Sequence, residues 1–106
     1  MVFSWFSTKE VKQFANELAE EFSKRYPLSE VQQPSSKSES RLRGAKDLMM
    51  SRTQVFAERN KLNLYKRANL ANTLKWKFHE MGYASEVSDP LVMEVTRIVT
   101  LIRPQR

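Results

Sequence analysis

Residues 41–81 read RLRGAKDLMMSRTQVFAERNKLNLYKRANLANTLKWKFHEM, and the fold turns on whether they form one helix or two. The stretch holds no proline and a single glycine, Gly44. In a helix interior glycine costs about 1 kcal/mol and proline about 3 kcal/mol relative to alanine. Their near absence predicts one long central helix over 41–81, closed by Gly82-Tyr83 as a C-terminal glycine closes a helix. A straight helix of that length spans about 60 Å at ~1.5 Å per residue. A compact 100-residue domain has a radius of gyration of about 13 Å, so such a rod would protrude or the domain would be elongated. The weak point is 60–72, where Asn60, Asn63, Asn69 and Asn72 lower the helix propensity. A kink or break there is the alternative.

Working outward, Ser7-Thr8-Lys9-Glu10 reads as a capping box with Ser7 as N-cap, and Phe6 and Val11 match a hydrophobic staple. Val11, Phe14, Ala15, Leu18, Ala19, Phe22 and Tyr26 recur at helical spacing, and Pro27 pushes Tyr26 out of helical geometry. A helix over 8–25 is expected. Residues 27–40 hold two prolines and five serines and are expected to form a flexible, exposed linker that buries nothing. Asp89-Pro90 opens a last helix over 90–103, whose apolar face is Leu91, Val95, Ile98, Val99 and Ile102.

The expected fold is therefore a single all-α domain, with two short antiparallel helices flanking one long central helix. Tyr26 would lie beside Arg43 and Thr8 beside Lys61; Pro90 would lie beside Met81 and Ile102 beside Asn69. Phe3, Trp5 and Phe6 would sit near the middle of the central helix. The groove left over invites a second copy of the chain, so a homodimer is one expected partner state.

The charge is unevenly spread. The chain of 106 residues carries a net +6. Between Arg41 and Lys77 ten basic residues stand against Asp47 and Glu58, while the segments on either side are nearly balanced. On a helical wheel over 41–81, Arg52, Arg59, Lys66 and Lys77 fall near the centre of the apolar arc, an unusual place for cations. The structural explanation is pairing across helices: Glu10 with Arg59 and Glu17 with Arg52, both glutamates seven apart on the first helix. The functional one concerns the cations left over. Lys61, Lys66, Arg67, Lys75 and Lys77 have few acidic neighbours, and beside them Tyr65, Asn69, Asn72 and Trp76 share one helical face. Lysines for phosphates, rings for stacking and asparagines for base edges are what a nucleic-acid surface uses. The same groups also suit an acidic protein partner.

Much chemistry is absent from the sequence. With no cysteine, disulfides and thiolate chemistry are excluded. His79 is the one histidine, and His79-Glu80 lacks the second histidine of a zinc-protease motif. Glu17, Glu20 and Glu21 lack the histidines of a di-iron site. No Gly-x-Ser-x-Gly turn or phosphate-cradling loop is present. No enzyme, cofactor or metal is expected. No apolar run reaches the ~20 residues of a membrane span, and although Phe3, Trp5 and Phe6 could touch a lipid surface, the first helix is slightly acidic. The expectation is a small cytoplasmic helical interaction module that acts by self-association or by docking an acidic protein. The alternative is a nucleic-acid-binding accessory protein.

Overall fold

Asn60 and Asn63 divide the central stretch. In the computed structural model, which describes the backbone of residues 2–102 and the side chains of 8–102, five helices and no strand occur among the described residues. They are α1 (Val2–Arg25), α2 (Leu28–Gln32), α3 (Ser38–Arg59), α4 (Leu64–Glu80) and α5 (Ser85–Leu101). The expected single helix over 41–81 is thus two helices, with the break at the first residues of the weak point. Asn60 turns extended (φ −131, ψ 136), and its Nδ2 donates to the Phe56 carbonyl at 2.8 Å. Asn63 is the N-cap of α4, its Oδ1 accepting from the Lys66 N–H at 2.8 Å. Each asparagine satisfies a backbone group that a helix end leaves open. Asn69 and Asn72 stay inside α4.

Three further boundaries differ from expectation. α1 runs through Ser7-Thr8, so the helix does not begin there; the side chains of Phe3, Trp5, Phe6 and Ser7 lie outside the described residues. α5 starts five residues before Pro90, and Asp89 is not its cap. Pro90 is exposed in the second turn, where its missing N–H removes the helical hydrogen bond to the Glu86 carbonyl. α5 ends at Leu101, with Ile102 extended as the C-cap, two residues before the expected end at Arg103.

Four of the helices pack together. Phe14 stacks on Phe56, with ring centroids 3.9 Å apart and planes at 4°, and Arg52 pairs with Glu21, so α1 runs antiparallel to α3. Val11 borders a cleft with Leu62 and Lys66, and Phe22 meets Phe78 edge-on at 5.5 Å, so α1 runs parallel to α4. α5 returns antiparallel to α4, bringing Val99 and Ile102 beside the Asn60–Asn63 turn. α1 and α5 each pack against both α3 and α4. The three-helix arrangement gives way to a four-helix one because the chain reverses between the two halves of 41–81, which lie across from each other with α1 and α5 packed between them. The molecule measures 48 × 26 × 18 Å with a radius of gyration of 14.1 Å, too short for the ~60 Å rod.

The core joins Leu18 and Phe22 of α1 to Leu70, Leu74 and Phe78 of α4 and to Leu91 and Val95 of α5. α3 contributes mostly small residues, Ala45, Thr53 and Ala57 alongside Met49, which lets its backbone approach closely. Buried Thr53 is satisfied, its Oγ1 donating to the Met49 carbonyl at 2.8 Å.

α4 ends in a Schellman turn. The Gly82 N–H donates to the His79 carbonyl and the Tyr83 N–H to that of Phe78, both at 3.0 Å, with the Phe78 and Tyr83 rings in contact, as the motif favours. Gly82 has φ 97, and a Cβ there would sit 2.9 Å from Leu28 Cδ2. Gly82→Ala is therefore expected to cost about 1–2 kcal/mol from the left-handed backbone, with a further penalty from Leu28, measured as a shift in urea midpoint.

Residues 27–40 do not bury nothing: Ser38 is buried, and Leu28 and Val31 pack against the core. Glu30 on α2 organises the stretch by accepting from Ser38 Oγ at 2.5 Å and pairing with Arg41. Ser35 donates its N–H to Ser38 Oγ at 2.7 Å. The Ser38 hydrogen bond, with help from Arg41 and Ser35 against burial, holds the Glu30 carboxyl below the ordinary glutamate value of 4.5. A lowered folded-state value means this contribution is present above 4.5 and is lost as pH falls through the folded value. Glu30→Gln should therefore be less stable than the parent at pH 7 and close to it in strong acid, as read by paired thermal melts.

Candidate partner-binding surface

Each asparagine cap also fixes where the cations go. Folding back at Asn60–Asn63 sets Arg59 at the end of α3, Lys61 in the turn, and Lys66 and Arg67 in the first turn of α4. Four cations thus surround one turn at one end of the bundle. Lys66 Nζ reaches the Lys61 carbonyl at 3.4 Å. None of the four has a carboxylate within 4.0 Å among the described residues.

Three clefts meet at this turn, and Asn60 lines all of them. One of ≈ 190 Å³ lies between α1 and the turn, bordered by Glu10, Arg59, Lys61 and Lys66. A second of ≈ 350 Å³ opens between the turn and the end of α5, with Leu62, Val99 and Ile102 as apolar walls and Lys61 and Arg67 at the edge. The third, of ≈ 400 Å³, lies between α1 and α3. Glu10 is the one carboxylate lining any of the three among the described residues. Exposed Leu64, Tyr65 and Leu101 stand at the same end of the bundle.

The sequence-derived surface does not stay together. With Leu70, Leu74 and Phe78 buried, 100° steps put Tyr65, Asn72 and Trp76 on the outward side of α4. Tyr65 is 63% and Trp76 68% exposed, and Trp76 lies against His79, centroids 6.3 Å apart. Asn69 is half-buried at the margin. Lys75 is exposed near this stripe. Lys66 and Lys77 turn instead toward α1, where Lys77 Nζ is 3.9 Å from Glu20, and Arg67 turns toward α5. The exposed rings and the cations Lys66, Lys77 and Arg67 therefore occupy different sides of α4, and Lys75 alone of the α4 lysines stays near the rings.

Of the two expected ion pairs, one is shifted by a turn and the other does not form. Arg52 Nε contacts Glu21 Oε1 at 2.7 Å in place of Glu17, and Glu17 accepts from Gln13. Glu10 and Arg59 line the same cleft but do not pair within 4.0 Å. Glu17 and Glu21 lie on the same side of α1, one turn apart, so spacing alone does not choose between them. Arg52 and Arg59 sit beside α1 at the edge of the core. Their central place on the wheel came from treating α3 and α4 as one helix, whereas the buried stripe of α3 is Ala45, Met49, Thr53 and Ala57. Leu62 and Ile102 are not legible as cleft walls in the sequence, because their apolar spacing reads simply as core.

No group of three or more His, Asp or Glu side chains suited to a metal ion occurs among the described residues, and none of their helices is long and apolar enough to cross a membrane. No protein-family model, curated protein or solved structure matches the chain.

Proposed function

We propose that this protein is a cytoplasmic interaction module that docks an acidic protein partner through the turn end of its bundle. One observation carries the reading: Arg59, Lys61, Lys66 and Arg67 gather around a single turn, beside three clefts, two of them apolar-walled, in which Glu10 is the one lining carboxylate among the described residues. Cations at the rim steer an acidic surface and fix its orientation, while apolar pockets supply burial. Self-association is the weaker arm, because two such ends would present like charge to each other.

Nucleic-acid binding remains a second reading because of exposed Tyr65 and Trp76, which could stack bases. The separation of those rings from Lys66, Lys77 and Arg67 counts against it, since a strand must meet phosphate and base contacts together. The two readings are separated by titrating an acidic amphipathic peptide and a single-stranded oligonucleotide of equal charge side by side. Tighter peptide binding, lost in Lys61→Glu/Arg67→Glu, supports docking of an acidic protein. Tighter oligonucleotide binding that is lost in Trp76→Ala overturns it.

A further inference from the structure

The cleft between α1 and α3 differs from its two neighbours. Its floor is the Phe14–Phe56 stack, both rings half-buried, with Val55 beside them 44% exposed. Arg52 and Arg59 form its rim, and no carboxylate lines it among the described residues. Arg52 is already committed to Glu21; Arg59 has no such partner within 4.0 Å among the described residues. At ≈ 400 Å³ the cleft is at the small end of ligand-sized pockets, about 300–1,000 Å³. It suits one or two large side chains.

We infer that this groove anchors the acidic partner, and that its occupant is an amphipathic helix. The helix seats a Leu or aromatic side chain on the Phe14–Phe56 stack and places a carboxylate, one turn away, against Arg59. This rests on the reading that the turn end docks an acidic protein, and it names the segment that such a protein must present. The shape follows from the walls, since a furrow between two packed helices accepts the ridge of a third. The charge follows from the rim, where the Arg59 guanidinium, without a carboxylate within 4.0 Å among the described residues, stands beside apolar surface and selects a carboxylate. A second copy of this chain is a poor occupant, because it brings a net +6 to a rim that is itself cationic. A lipid surface is flat and has no use for a concave floor.

The test uses the full chain and a labelled synthetic helix of about five turns, carrying a Leu/Phe stripe flanked by glutamates. Controls replace the stripe with serine or the glutamates with lysine. Val55 is exposed, so Val55→Asp changes the groove without opening the core; Arg59→Glu is a second variant, and circular dichroism checks both. Either variant is expected to weaken peptide binding at least about tenfold, or ~1.4 kcal/mol. Lys24→Glu, at the opposite end of α1, should leave it unchanged, and both control peptides should fail to bind. If Lys61→Glu/Arg67→Glu abolishes binding while Val55→Asp and Arg59→Glu do not, the turn-end reading stands and the groove is not the anchor. Equal weakening by Lys24→Glu would reduce the binding to general electrostatics and overturn the groove. So would a dimer in sedimentation that Val55→Asp dissociates, which would make a second copy the occupant. Binding to phosphatidylserine vesicles in place of the peptide, lost in Val55→Asp, would likewise assign the groove to lipid.

Discussion

Phe78→Ala is expected to destabilise the protein by about 3–5 kcal/mol, the largest effect of any single substitution considered. Phe78 is fully buried and stands between two rings, Phe22 and Tyr83, each 5.5 Å away and edge-on. Phe22 in turn meets Tyr26 and Tyr83, both at 6.0 Å, and the Tyr83 hydroxyl donates to the Tyr26 carbonyl at 2.6 Å. One side chain thus joins α1, α4 and the turn into α5. Truncating it removes the ring's transfer free energy and leaves a cavity that four packed helices cannot fully close. For a domain of this size, total stability is on the order of 5–15 kcal/mol. A loss of that magnitude should lower Tm by on the order of 15–30 °C. Trp76→Ala is the matched control: a larger ring is removed from an exposed site, and stability should move within about 0.5 kcal/mol. Thermal melts of the two variants side by side check the pair. If Trp76→Ala proved as costly as Phe78→Ala, the outward placement of the Trp76 face of α4 would be wrong.

Lys61→Glu/Arg67→Glu should act on binding and leave folding nearly unchanged. Neither cation has an ion-pair partner within 4.0 Å among the described residues, so reversal breaks no internal contact of that kind. At an interface with an acidic partner, however, it turns attraction into like-charge repulsion, worth several kcal/mol. Affinity for the acidic helix should fall on the order of a hundredfold, with the loss mostly in the association rate. Wild-type binding should also weaken as salt rises from about 0.05 to 0.2 M, because screening shortens the reach of exposed charges to about 10 Å or less. Retained affinity in the double variant, with native helicity, would rule out the turn end as the docking surface.

The sequence could show the interior of the two outer helices and not the turn between the middle ones. Val11, Ala15, Leu18 and Phe22 form the buried face of α1, as do Leu91, Val95 and Val99 for α5, because 3.6-residue periodicity carries that information locally. Gly82 marked the end of α4 for the same reason, since only a local conformation was needed. The start of α1 was misplaced because Ser7-Thr8-Lys9-Glu10 satisfies a capping pattern whether or not the chain has already become helical. The surface group around Tyr65 and Trp76 joins rings that share one helical face to cations that are only their neighbours along the chain, and of these Lys66, Lys77 and Arg67 belong to the seams beside α1 and α5.

By itself, the sequence determined that the chain is helical, which faces of α1 and α5 turn inward (with Phe14, Ile98 and Ile102 only partly buried there), and that positive charge concentrates between Arg41 and Lys77. Each of these depends on residue type and spacing within a few turns. Only the tertiary structure decided that 41–81 doubles back. Asparagine propensity differs from that of its neighbours by well under 1 kcal/mol per residue, too little to force a break. The hydrogen bonds of Asn60 and Asn63 permit the turn, and burying Leu70, Leu74 and Phe78 against α1 and α5 makes it favourable. That fold-back converts a row of cations along a rod into Arg59, Lys61, Lys66 and Arg67 around one turn, which is the surface on which the proposed function rests.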